Sequence, residues 1–174
     1  ARDGVHTTLQ KILFRLKNRK FFVKRKYFQG ENRDPDLLYQ SWREKHMLTR
    51  GDFARMKEKS EKFAYQPVVS VVIPIYKPDL HYFRRAVESI QSQVYPHWQL
   101  CLCDDGSNDP TLEKVLKDYE REDPRIAARI EKANGGIVSA SQKASELAKG
   151  EFIAFMDQDD LLTPDALFRV SEKL

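Results

Sequence analysis

The sequence is poor in cysteine, and that scarcity excludes several classes at once. Its 174 residues contain only Cys101 and Cys103, one residue apart in the run Trp98-Gln99-Leu100-Cys101-Leu102-Cys103. In an extended segment both point to one face, alternating with Leu100 and Leu102. Same-strand neighbours are badly placed for a disulfide, and two sulfurs alone make a poor zinc site. They are expected to be small buried apolar residues of a reduced, cytoplasmic protein. Long apolar runs are lacking too. No stretch approaches the ~20 apolar residues of a membrane-spanning helix, and the polar start around Arg2 and Asp3 lacks the apolar core of a secretory signal. The sequence shows neither an internal repeat nor a low-complexity tract. A composition of 41% hydrophobic and 32% charged residues, over a length sufficient for one well-filled core, fits a globular domain with a polar surface.

Acid is missing from one place in particular. Between residues 9 and 27, eight basic side chains from Lys11 to Lys26 have no acidic neighbour, while Leu9, Ile12, Leu13, Leu16, Val23 and Tyr27 recur at helical spacing. An apolar stripe under such a basic face predicts one of two things. The helix lies on an anionic bilayer, here the inner face of the cell membrane, or it packs on protein with its basic face in water. Residues 1–62 carry 17 Lys and Arg against 8 Asp and Glu, a net +9, whereas the remaining 112 carry a net −5. The chain is therefore read as a basic helical region over 1–66, with further helices from Pro35 to Met47 and from Asp52 to Phe63, followed by an α/β domain over 67–174. The basic stretch contains no recognisable nucleic-acid-binding module and the domain after it is acidic, so nucleic acid is not an expected partner.

From Val68 the periodicity changes. Val68-Val69-Ser70-Val71-Val72-Ile73 is a nearly continuous β-branched run, as in a strand buried on both faces, and Pro74 is expected to end it. Pro78-Asp79 opens a helix with Phe83, Val87, Ile90 and Val94 on one face, closed by Pro96. A strand follows over Gln99–Cys103. Asp109-Pro110 then caps a helix with Leu112, Val115, Leu116 and Tyr119 inward. A further strand is predicted over Ile126–Ile130, and a helix over Ser139–Lys149 stopped by Gly150. Phe152 to Met156 reads as a buried strand. Thr163-Pro164 opens a last helix with Leu167, Val170 and Leu174 inward. Strands and helices in alternation with short connections imply a mostly parallel sheet flanked by helices.

In such a sheet ligands bind outside the carboxyl ends of the strands. The polar residues fall there: Pro74-Ile75-Tyr76 after the first strand, Asp104-Asp105-Gly106-Ser107 after the second, and Asp157-Gln158-Asp159-Asp160 after the strand at 152–156. Five carboxylates are thus expected at one edge. Carboxylates held together repel, and a cation or a raised pKa relieves them. Oxygen donors without His or Cys favour a hard ion, Mg²⁺ or Mn²⁺, with positions left open for water or phosphate. The alternative is that the acids are helix caps and turn formers, which is the preferred reading of Asp109 and Asp165.

Taken in order, Val69 to Tyr76, Asp104-Asp105-Gly106-Ser107, Asn134-Gly135-Gly136-Ile137, Gly150-Glu151-Phe152 and Asp157-Gln158-Asp159-Asp160 resemble the family 2 glycosyltransferases of the GT-A fold. The resemblance spans about Val68 to Leu174. Its Asn-Gly-Gly-Ile and Asp-x-Asp-Asp variants are most similar to bacterial enzymes that build O-antigen, rhamnan and related surface polysaccharides. It implies a Rossmann-like GT-A nucleotide-sugar-binding half and an inverting transfer of a hexosyl or rhamnosyl group. The donor would be a UDP- or dTDP-sugar and the acceptor a polysaccharide or lipid-linked glycan. It further implies that Pro74 and Tyr76 line the base pocket with the Tyr76 ring on the nucleobase, and that Asp105 accepts the pyrimidine N3–H. Asp157 would then hold the ribose, and Asp159 the Mn²⁺ or Mg²⁺ that bridges the diphosphate.

Two departures follow from the same resemblance. Where the family often has Ala-Arg-Asn, this chain has Ser139-Ala140-Ser141-Gln142, so a basic or amide contact to the donor is expected either to be weakened or to be supplied by Gln142 or Lys143. The sequence also ends fifteen residues after Asp159, which puts the expected catalytic carboxylate, the general base, beyond Leu174. Other readings of the same residues are a phosphatase of the haloacid-dehalogenase type, in which Asp157 of Asp157-x-Asp159 would be the nucleophile, and a non-catalytic, membrane-surface-binding module.

Overall fold

The computed structural model describes residues 34–174; the helix read over 9–27 lies outside them. Among the described residues no helix is long and apolar enough to cross a membrane. Helix α1, Pro35–His46, falls outside the compact unit Leu48–Leu174. Asp34 caps it by accepting the Asp36 N–H at 3.0 Å, Pro35 occupies its first turn, and Arg43, Lys45 and His46 close its last. None of its residues is buried. Tyr39, Trp42 and His46 stack along one side, with ring centroids 6.2 and 4.6 Å apart.

The second unit starts at Leu48. Helix α2, Arg50–Ser60, begins two residues before the expected Asp52, because Thr49 is its cap. Thr49 and Asp52 exchange hydrogen bonds in a capping box, so Asp52 is the third helical residue and not the first. Met56 and Phe63 pack on the core of the α/β domain, with the Phe63 ring 5.5 Å from that of Phe168. Lys59 pairs with Glu172. These contacts, with the Tyr65 hydroxyl that donates to Glu151 at 2.7 Å, help attach residues 48–66 to the rest.

The sheet has four strands in the order β3-β2-β1-β4, all parallel. Strand β1 is Val69–Ile75, β2 Trp98–Asp104, β3 Ile126–Ile130 and β4 Phe152–Phe155. Between them run α3 (Leu80–Gln91), α4 (Pro110–Glu122) and α5 (Ile137–Ser145), and α6 (Ala166–Ser171) comes last. The β-branched run makes β1 the central strand, in register Val69↔Trp98 through Ile75↔Asp104 with β2 and Val69↔Phe152 through Val72↔Phe155 with β4. Alternate residues serve opposite faces. Val71, Ile73, Leu100 and Leu102 join Phe83, Val87 and Ile90 of α3 and Leu112 and Leu116 of α4 in the larger core. Val72, Cys101 and Cys103 meet Ala140 and Ala144 of α5, whose small side chains let that helix lie close to the sheet. Both cysteines are buried and free, as expected.

Four local expectations are corrected. Strand β1 runs through Pro74 to Ile75. Pro74 is tolerated because its missing N–H falls on the side where pairing with β4 has already stopped. Helix α5 starts at Ile137 and ends at Ser145, not Lys149, because the buried Gln99 side chain donates to Leu147 O at 3.0 Å and accepts from Lys149 N at 2.7 Å, diverting that backbone from the helix. Strand β4 is not buried. It pairs only with β1 among the described residues, and Phe155 is 68% exposed. The last helix is a turn and a half that buries Leu167, Phe168 and Ser171, leaving Val170 and Leu174 outward.

Candidate functional site

Strand order reverses at β1: the chain moves from β1 to β2 and β3 on one side and then crosses to β4 on the other. Such a switch point splays the connections apart and leaves a crevice at the carboxyl edge. There a cleft of about 450 Å³ opens, lined by Pro74, Ile75 and Tyr76 after β1, Asp105 after β2, and Asp157, Gln158 and Asp159 after β4. Its remaining wall is Asn134, Gly136, Ile137 and Ala140, the approach to α5 and its first turns. All five residues singled out from sequence, Pro74, Tyr76, Asp105, Asp157 and Asp159, therefore line one space although they come from three separate strand ends.

Just past the end of β1, Tyr76 is 44% exposed and lines the cleft, and an aromatic ring is suited to stacking on a flat ligand. The Lys77 ammonium stands 5.2 Å from its centroid. Lys77 itself has φ 43°, a left-handed conformation that an L side chain rarely adopts, and its N–H is held by the Ser107 hydroxyl at 2.8 Å. The turn after β1 is thus pinned to the turn after β2.

Asp105 is 2% exposed, and both its oxygens already work: Oδ1 accepts from Gly135 N at 2.9 Å and Oδ2 from Gly136 N at 2.7 Å. Gly136 caps α5 with no side chain of its own and has φ 86°, so the Asp105 carboxylate supplies the anion that a helix amino terminus favours. Each oxygen keeps lone-pair capacity for a further donor. Gly106 beside it has φ 74°, and a Cβ there would stand 2.6 Å from the Ala133 carbonyl carbon. Only glycine lets the second turn pass so close beneath the segment that carries Asn134.

Asp157 and Asp159 lie on the turn after β4 and are exposed. That turn is braced from below: Leu162 N donates to the Ser89 hydroxyl, and Gln93 bonds Thr163 O at 2.8 Å and Leu167 N at 3.0 Å. Among the described residues no three His, Cys, Asp or Glu side chains are grouped to cage a metal ion. Asp157 and Asp159 offer carboxylate oxygens only. This suits a hard divalent ion that takes its other ligands from a bound phosphate, and does not suit an all-protein metal site.

Of the five carboxylates expected at the edge, Asp104 and Asp160 do not line the cleft. Asp104 is 1% exposed, with Oδ1 accepting from Ser107 N and Oδ2 facing no protein donor. It points inward because it is the last residue of β2, one position before Asp105, and successive strand side chains alternate. Gln142 and Lys143 do not line the cleft either. Lys143 lies 3.0 Å from Glu131, which it and Arg129 hold below the usual carboxylate range. Glu172, paired with Lys59, is also elsewhere. Sequence reasoning passed over Asn134, Ile137 and Ala140 as lining residues, and gave Gln158 no role of its own. Only proximity to Gly135-Gly136 could have flagged the first three.

Residues 70–174 match the family described as Glycosyl transferase family 2. A chondroitin synthase of Pasteurella multocida (strain Pm70) is 44% identical over 101 residues, which are 58% of this chain and 10% of that protein. The Escherichia coli UDP-Glc:alpha-D-GlcNAc-diphosphoundecaprenol beta-1,3-glucosyltransferase WfgD is 37% identical over 94 residues, 54% of this chain and 36% of that one. Among solved structures, S. aureus TarS 1–349 in complex with UDP superposes with a TM-score of 0.53 at 27% identity, covering 60% of this chain and 31% of that one. The chain spans well under two thirds of the length of each. The parallel sheet flanked by helices is that of the GT-A glycosyltransferases, as expected, and the phosphatase reading of Asp157-x-Asp159 falls away.

Proposed function

The chain belongs to glycosyl transferase family 2, and on that premise we propose that its cleft binds the nucleoside diphosphate of a UDP- or dTDP-sugar together with Mn²⁺ or Mg²⁺. The protein then serves the inverting transfer of that sugar to a polysaccharide or lipid-linked acceptor in cell-surface glycan synthesis. The observation that carries the reading is the convergence of Tyr76, Asp105, Asp157 and Asp159 on one cleft at the switch point. The UDP bound by TarS and the UDP-sugar and lipid-linked acceptor named for WfgD support the choice of donor and acceptor class.

In this reading the Tyr76 ring stacks on the base, and Asp105 accepts the pyrimidine N3–H with the capacity left over from Gly135 and Gly136. Asp157 holds the ribose. Asp159 would hold the cation, whose charge offsets that of the diphosphate as it leaves. At the amino terminus, residues 9–27 would bring the protein to the inner membrane surface, where a lipid-linked acceptor resides.

A thermal-shift comparison of UDP, dTDP and GDP, with Mn²⁺ and with EDTA, tests the reading. At about a hundredfold excess over Kd a ligand adds about 2.7 kcal/mol to stability, several degrees in Tm for a domain of this size. UDP or dTDP is expected to produce that shift with Mn²⁺ and not with EDTA. Equal stabilisation by GDP would overturn the role of Asp105, and equal stabilisation in EDTA that of the cation.

A further inference from the structure

We propose that Gln158, the residue between the two acids of Asp157-Gln158-Asp159, is a positioning residue that ties the base-stacking end of the cleft to its diphosphate end. This rests on the nucleotide reading above. Even-numbered residues along β1 and just before it turn their backbone groups toward β4: Val68 O accepts from Phe152 N, and Val72 O from Met156 N at 3.1 Å. Odd-numbered ones turn toward β2, as where Ile75 O accepts from Asp105 N. The next even position after Val72 is Pro74, which has no N–H to offer. Backbone pairing between β1 and β4 stops there, and the two chains are free to separate just where the cleft begins.

Gln158 closes that gap with its side chain. Its Oε1 accepts from Tyr76 N at 2.9 Å and its Nε2 donates to Tyr76 O at 3.3 Å. A primary amide carries one acceptor and one donor side by side, so it replaces the missing strand neighbour at the following even residue. Both backbone groups of Tyr76 are thereby satisfied, and the ring stays free for a ligand. The same amide fixes the turn from Asp157 to Asp160, where Asp160 N donates back to Asp157 O at 3.3 Å. One side chain thus sets the separation between the stacking ring and the two acids. A ligand that engages both ends at once gains from that fixed separation, because the second contact costs little further ordering once the first is made.

The experiment compares the 174-residue chain with its Gln158→Met variant, which keeps side-chain length and removes both bonds. Three probes are titrated: UDP with Mn²⁺, uridine alone, and pyrophosphate with Mn²⁺. Exchange of the Tyr76 amide is followed by NMR. The expected result is a loss of roughly tenfold for UDP, smaller changes for uridine and for pyrophosphate, and faster exchange at Tyr76 than at Val71 or Ile73. A variant that only damaged the fold would weaken all three probes together and speed exchange along all of β1, which would overturn the proposal. Undiminished UDP binding by Gln158→Met would overturn it for Gln158 alone. A wild-type chain that binds no probe would instead overturn the nucleotide reading of the cleft, and this role with it.

Discussion

Asp105 and Gly136, thirty-one positions apart, meet through a 2.7 Å hydrogen bond from the glycine N–H to the carboxylate Oδ2. The bond joins the carboxyl end of β2 to the amino terminus of α5, a helix with no side-chain cap of its own. A residue assigned to ligand recognition therefore also holds up one wall of its own site. The two jobs are compatible because a carboxylate has more acceptor positions than the two backbone donors consume.

That double role gives a first test. Asp105→Ala frees both Gly135 N and Gly136 N and is expected to cost roughly 1–3 kcal/mol of stability, read as a fall in urea midpoint. Asp105→Asn keeps one acceptor and should lose less stability. Its affinity for UDP should still fall, because the amide turns an N–H2 donor toward one of the donors from which the carboxylate accepts. Urea unfolding and UDP titration of both variants separate the two effects; full affinity in a destabilised Asp105→Ala would leave Asp105 as a cap only.

The strand and helix order of the α/β domain was legible because its signals are local. The β-branched run gives β1, and the i, i+3, i+4, i+7 pattern from Leu112 to Tyr119 gives α4. The site acids were legible because strand ends carry them. What escaped depends on partners far away in sequence. Nothing near Ser145 says that Gln99 captures the backbone after it. Phe152 to Phe155 reads as core until its place at the edge of the described sheet is known. Gln158 drew no notice because its partner, the Tyr76 backbone, lies eighty-two positions before it.

Gly106 offers a test of the site's framework that leaves its charges untouched. Gly106→Ala would force a Cβ to within 2.6 Å of the Ala133 carbonyl carbon and 2.7 Å of Asn134 N, at a φ of 74°. The expected cost is roughly 1–3 kcal/mol, seen as a lowered melting temperature. Nucleotide affinity should fall with it, since Asn134 and Gly136 line the cleft and their segment is what must move. A variant as stable as the wild type would show that the segment at 133–134 yields freely.

Burial between the sheet and α5 pushes the thiols of Cys101 and Cys103 up to about 11. In the unfolded chain they ionise near 9. Between these values the unfolded state has released protons that the folded state still holds. Stability therefore declines as pH rises above about 9, and the thiols' contribution is fully lost once pH passes about 11. Urea midpoints at pH 8 and near pH 10.5 should fall more in wild type than in a Cys101→Ala, Cys103→Ala double variant. At pH 8 neither thiol should react with iodoacetamide until denaturant is added.

The last test separates the two ends of the proposed nucleotide site. Tyr76 contributes a ring face, which any base can use, so Tyr76→Ala should weaken UDP, dTDP and GDP by similar factors, about 1–3 kcal/mol by analogy with stacked bases elsewhere. Tyr76→Phe should change little, since the hydroxyl is not needed for stacking. Asp159 contributes charge, and its effect should appear only through the cation. Asp159→Asn leaves an exposed turn residue of the same shape, so the melting temperature without ligand should not move. The difference between UDP titrations with Mn²⁺ and with EDTA should shrink or vanish. If Asp159→Asn kept the full Mn²⁺ dependence, the cation would have to be held from elsewhere in the cleft, with Asp157 the remaining exposed acid in its lining. The doubly substituted Asp157→Asn, Asp159→Asn chain would then decide whether either acid holds it.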